Sequence, residues 1–244
     1  TQRVVDSALS LGPLAYEIDW DLNDPCQMAM GTTVGHIMEY SMHATGGNYL
    51  DPGYKECADP GHLGVPIAEF SEDELIITKV PNTGGSVSRD SIIEQIIYET
   101  TDPTDYMVPD VTLDLTNLKV EKIGKDVVRI TGFKGHPRPE KLKVLVSFFE
   151  GYMNEEWVCW SGLGCKERAK VGEEVLFGRL KQIGFKPREF RYDYVGVNSI
   201  MRKMTPKNAF PEDPSEIILR LVCKDDDPDM CNLLHDEIDA MACG

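Results

Sequence analysis

Gly35-His36-x-x-Glu39 places an imidazole and a carboxylate three residues apart, which is one face of a helix. Such a pair can move a proton between substrate atoms, or supply two ligands to a divalent metal. His43 adds a third group one helical turn beyond Glu39. The plainer alternative is a hydrogen-bonded core histidine, with Glu39 and His43 paired at the surface. A second constellation runs from Lys79 through Asn82, Thr83, Gly84, Gly85 and Ser86. Paired glycines bare backbone N–H groups, and the lysine, amide and hydroxyls add charge and donors, so these six residues can hold a carboxylate or phosphate at a helix start. The same residues also suit a tight strand-to-helix turn with no ligand. The turn is not a nucleotide P-loop, because Gly-x-x-x-x-Gly-Lys-Ser/Thr is absent. Thr45-Gly46-Gly47, after the His36 segment, reads equally as a ligand loop or a helix stop. Arg138, in Gly135-His136-Pro137-Arg138-Pro139, can grip a carboxylate with its guanidinium fork, whereas Lys141 and Lys143 read as solvent-facing. Arg3 stands near Asp6 and Ser7, where it can orient a substrate or join a surface ion pair.

Composition bounds these choices. The chain has 244 residues, 41% hydrophobic and 27% charged, enough for one large domain or two small ones. A net charge of −16 repels nucleic acid and anionic membranes, so the expected ligand is a small anion held by local donors. No apolar run approaches the roughly 20 residues that cross a bilayer. The opening residues do not read as a secretion signal, and a cytoplasmic location is expected. The seven cysteines include no Cys-x-x-Cys pair and read as free thiols in a reducing compartment.

The elements that must position these groups follow from periodicity and punctuation. Asp6 can cap a helix over Ala8, Leu11 and Leu14 that Gly12-Pro13 distorts or divides. A second helix is expected from about Met28 to His43, ending near Gly46, followed by an irregular loop from Tyr49 to Pro66. Leu75 to Val80 reads as a strand that delivers Lys79 to its turn. Ser88 and Ser91 are candidate caps for the next helix, Ser91 with Glu94 matching a capping box, and Ile92, Ile93, Ile96 and Ile97 form its stripe. Strands are expected at 111–115, 118–123, 127–131, 142–149 and 152–160, then a helix over 166–183 closed by Gly184. Strands near 190–197 and 216–223 and a last helix over 228–242 complete the pattern, with Asp225-Asp226-Asp227 solvated ahead of that helix. The expected class is α/β or α+β: a mixed sheet with flanking helices, antiparallel in the second half. A glycine-rich segment over 1–108 carries the candidate site and a strand-rich segment spans 109–244, as two domains with a cleft between them or as one continuous domain.

The order of short motifs is itself informative. Arg3-Val4-Val5-Asp6-Ser7, Gly35-His36-x-x-Glu39, Ala44-Thr45-Gly46-Gly47, and Leu63-Gly64-Val65-Pro66-Ile67-Ala68-Glu69 occur in the order of the acyclic terpene utilisation AtuA-like family. Thr78-Lys79-Val80-Pro81-Asn82-Thr83-Gly84-Gly85, Glu94-Gln95-x-x-Tyr98-Glu99, Pro109-Asp110-Val111 and Gly135-His136-Pro137-Arg138-Pro139 extend the match. The chain resembles that family strongly over about its first 150 residues and weakly thereafter. The resemblance implies a part in the breakdown of acyclic terpenes and branched acids through acyl-CoA intermediates. It also implies a chain that is a fragment, a processed product or one subunit, with another segment or subunit of the same kind as partner in an oligomer. The expected function is a catabolic enzyme, a lyase or hydratase on a small carboxylic acid or acyl-CoA derivative. His36 and Glu39 would move the proton, and Arg3, the Lys79–Ser86 turn and Arg138 would hold the substrate. The alternative is a non-catalytic module that completes a partner's site. Neither the residues nor the resemblance specifies a cofactor, and a metal at His36 and Glu39 stays an open alternative.

Overall fold

A computed structural model describes residues 5–212 and 214–243, so Arg3 lies outside the described residues. The chain divides into two compact units, Thr1–Val146 and Ser147–Gly244. Together they make an α+β protein with flanking helices, and every pairing between its named strands is antiparallel.

The first unit is built around a helix with almost no exposed face. Helix α1 (Ala8–Glu17) runs unbroken through Gly12-Pro13, and its N-cap is Ser7 rather than Asp6. Helix α2 (Pro25–Glu39) begins three residues earlier than its apolar pattern starts, because Asp24 accepts hydrogen bonds from the backbone N–H of Cys26 and Gln27 and Pro25 fits the first helical position. Every residue from Met28 to Ile37 is buried. A Cβ on Gly31 or Gly35 would strike Leu11 and Trp20 or the backbone of Ser7, so these two glycines let α1 close onto α2.

The strands β1 (Pro66–Phe70), β2 (Glu74–Lys79), β5 (Lys119–Gly124) and β6 (Val127–Thr131) form one sheet in the order β1-β2-β6-β5. Leu75 and Ile77 of β2 and Val128 and Ile130 of β6 meet Met30, Val34 and Ile37 of α2. Helix α3 (Arg89–Ile97) supplies Ile92 and Ile96 to the same core. Its capping box joins Ser88 and Ser91: each side chain takes the other's backbone N–H at 3.0 Å, so Glu94 has no part in it.

The expected strand over 111–115 is shorter, because Asp114 accepts from Thr116 N–H and turns the chain into a 3₁₀ helix. What forms is a small sheet of β3 (Tyr106–Met107), β4 (Thr112–Leu113) and β7 (Gly135–His136). The strand expected over 142–149 does not form: Val144 makes a single bridge, and the apolar residues of the segment lie exposed, with no ladder to a named strand among the described residues.

In the second unit β8 (Tyr152–Ser161), β10 (Glu216–Asp225) and β9 (Glu189–Tyr194) lie in that order, with α4 (Cys165–Gln182) crossing between β8 and β9. Leu176 and Leu180 of α4 and Leu234 of α5 (Pro228–Cys243) pack on Ile217, Leu219 and Leu221 of β10. On the β8–β10 ladder Arg220 grips Glu155 through two nitrogens, at 2.9 and 2.7 Å. Asp227 accepts from Asp229 N–H at the start of α5, a capping use of the acidic run.

Asp114 also receives Lys134 Nζ at 2.7 Å, and this bond, with that of Thr116, holds its pKa down at about 2. The stability from a depressed carboxylate is complete above its unfolded pKa and disappears as pH falls through the folded one. Stability should therefore fall between pH 3.8 and about 2, and Asp114→Asn should flatten that part of a urea-unfolding series against pH.

Candidate functional site

His36 and Glu39 meet at the C-terminal end of α2, with Nδ1 2.9 Å from Oε1 and side chains only 11% and 9% exposed. Burial raises the Glu39 pKa, the nearby His36 opposes that rise, and the charges of Asp6 and Glu99 add to it. Nδ1 is thus engaged, while Nε2 is buried and, among the described residues, has no hydrogen-bond partner. The Tyr106 ring lies 6.3 Å from the imidazole. Gln95 of α3 donates to the His36 carbonyl at 3.0 Å and ties the two helices together at this level.

His43 does not extend the pair. Ser41 adopts a φ of 48°, which ends the α-helix and starts a 3₁₀ turn over Ser41–His43. The His43 ring stacks on Tyr40 at 5.1 Å, and Tyr98 packs edge-on to both. Burial and the Glu99 charge push the Tyr40 pKa up to about 12. Glu99 reaches this region because its left-handed φ of 59° turns the chain sharply after α3. It also lines a cavity of about 510 Å³ with Tyr106, Asp105, Pro109, Lys141 and Lys143. His36 and Glu39 do not line that cavity; Tyr106 touches both it and the histidine.

The Lys79 turn forms a separate group in which the lysine and the N–H groups of Gly84, Gly85 and Ser86 bond inside the fold. Gly84 N–H donates to the His62 carbonyl at 2.9 Å, Gly85 N–H to Ala58 at 2.6 Å and Ser86 N–H to Thr45 at 2.8 Å. Lys79 Nζ donates to the Thr83 carbonyl at 2.7 Å and lies 4.0 Å from Asp126, with its side chain 8% exposed. The two Thr-Gly-Gly turns are therefore stitched to each other: besides the Ser86–Thr45 bond, Ser91 Oγ donates to the Ala44 carbonyl at 3.2 Å. A Cβ on Gly84 would collide with the Asp59 carbonyl, and one on Gly64 with Thr83, so close backbone approach accounts for these glycines. Asn82 takes the left-handed corner at φ 60°. Arg138 lies apart from both groups, exposed on the wall of another cavity with His136 and Asp110.

The family comparison spans all of these groups. A family model described as "Acyclic terpene utilisation family protein AtuA" matches residues 1–244. The chain belongs to this family. Membership ties it to acyclic terpene utilisation, and the AtuA match includes the second unit, where the short motifs are weakest. A search of curated proteins and a search of solved structures each returned no match.

Two residues near His36 come from outside the His36–Glu39 segment. Glu99, turned by its left-handed backbone, and Tyr106, on β3, join the His36 neighbourhood, and of the two Glu99 belongs to a motif in the AtuA-like order. Among the described residues no group of three or more His, Cys, Asp or Glu side chains is disposed to hold a metal ion. No helix there is long and apolar enough to cross a membrane.

Lys79→Met would leave the Thr83 carbonyl and Asp126 short of a donor, and should cost about 1–3 kcal/mol of stability in urea unfolding. An unchanged midpoint would show that the lysine has no structural role.

Proposed function

We propose that this chain carries the proton-handling site of a catabolic enzyme, acting on a small carboxylic acid or its acyl-CoA thioester by a lyase or hydratase reaction. The observation that supports it best is the His36–Glu39 pair, nearly nine-tenths buried, with Nδ1 engaged and Nε2 without a partner among the described residues. In this reading the Glu39 carboxylate accepts the Nδ1 proton and fixes the tautomer, leaving the Nε2 lone pair to take a proton from a carbon next to a carbonyl. Glu39 then stabilises the imidazolium that forms, and the same Nε2–H returns the proton to a leaving or added group. Lys141 and Lys143 on the adjoining cavity supply the charge that an acid or a CoA phosphate needs, and displacement of Tyr106 opens the way to the imidazole. The Lys79 turn is assigned to holding α2 and α3 in register.

A second reading, a binding module that completes a partner's active site, draws on the position of His36 and Glu39 outside the two cavities lined by Lys141 and by Arg138. Stable co-purification with a partner, together with an isolated chain that turns nothing over, would favour it.

For the enzymatic reading, the full chain is incubated with branched acyclic acids and their CoA thioesters in deuterated water, and products are followed by mass spectrometry. His36→Ala should lower kcat/KM by about 10²–10⁴-fold. Glu39→Gln should lower kcat with little change in KM and remove an acid limb lying above pH 4.5, since burial raises the Glu39 pKa from that value. Turnover that survives both substitutions would overturn the assignment.

A further inference from the structure

Beyond that reading, we propose that the first unit holds a second ligand site, for a monocarboxylate with an apolar chain, between α1, the start of α2 and the His136–Arg138 segment. A cavity of about 800 Å³ lies there, within the size range of small-molecule sites. Leu11 and Met28, 6% and 4% exposed, form an apolar floor, and Trp20 and Pro25 line it with them. Ala8, Gly12 and Ala15 add a low wall on one side of α1, which leaves room for a chain where larger residues would fill the space.

The polar end is asymmetric. Arg138 is a cation on the cavity wall, and among the described residues its guanidinium has neither a salt bridge nor a hydrogen bond. An unpaired guanidinium beside apolar surface selects a planar anion that can take two parallel N–H bonds. His136 lines the same end and offers a further donor. Asp19, Asp110 and Asn23 line the cavity too, and the two carboxylates oppose an anion. They restrict the head group to the Arg138 fork and disfavour a dianion such as a phosphate. Neither His36 nor Glu39 lines this cavity, so occupancy does not require turnover.

The test uses the full chain with octanoate and, as an uncharged control, methyl octanoate, reading calorimetric binding and Trp20 fluorescence in a variant whose other two tryptophans are phenylalanine. Octanoate should bind and shift the Trp20 signal, and Arg138→Gln should weaken it about tenfold or more while leaving the ester unchanged. Asp110→Asn should tighten octanoate. Ala15→Leu or, separately, Ala8→Leu should fill the wall and remove binding of acid and ester alike, with melting temperature and far-ultraviolet circular dichroism retained. His36→Ala should leave binding intact, which separates this site from the catalytic proposal. No octanoate binding, or binding indifferent to both Arg138→Gln and the filling variants, overturns the inference; so does self-association that the same filling variants abolish, since a second copy would then be the occupant.

Discussion

The burial of α2 on every side constrains the first unit more than any other interaction. Ten successive residues from Met28 to Ile37 lie away from water, so each neighbour of the helix must fit it closely. Helix α1 comes close because Gly31 and Gly35 lack side chains, and the β2–β6 pair presents Leu75, Ile77, Val128 and Ile130. The polar residues trapped in the helix then need partners within reach. Thr33 bonds back to the Ala29 carbonyl at 2.8 Å, and His36 finds Glu39. The imidazole–carboxylate pair is thus also a consequence of burying the helix that carries it.

The loops after α2 serve the same constraint. A helix end facing the interior leaves carbonyls to satisfy, and the donors to the carbonyls at and after it come from helix α3 and the turn before it. Gln95 reaches the His36 carbonyl, Ser91 reaches Ala44, and Ser86 reaches Thr45. Thr45 in turn donates to the Gly64 carbonyl at 2.6 Å. This mesh of short backbone bonds explains why glycine, threonine and serine recur through these segments, with function left to the side chains that the mesh holds in place. The second unit depends on a simpler arrangement, two helices on one face of a three-stranded sheet.

Much of the fold was legible. The β2 and β6 strands, α4 with its glycine stop and α5 follow directly from periodicity and caps, because each buries one regular face against its own unit. The failures share a cause. Residues 142–149 read as a strand by apolar content, yet among the described residues no named strand pairs with them, and without such a ladder no strand forms beyond the single bridge at Val144. Helix α2 was placed too far along at both ends, since Asp24 begins it and the left-handed Ser41 stops it, whereas hydrophobicity reports only its middle. The Ser91–Glu94 capping box fits its spacing pattern but loses to Ser88–Ser91, a choice made by backbone direction at the turn.

The sequence by itself determined the AtuA kinship, a mixture of helices and strands with antiparallel pairing in the second half, the helical spacing of His36 and Glu39 and the glycine turn around Lys79. Each is local or a matter of motif order, and rests on residues within a few positions of one another. Only the tertiary structure decided that the turn's N–H groups are spent on the carbonyls of Ala58, His62 and Thr45, that Glu99 and Tyr106 stand beside the histidine, and that Arg138 faces a separate apolar cavity. Those facts depend on contacts between residues far apart in the chain. A donor's availability is set by what the fold places opposite it, which spacing along the chain does not contain.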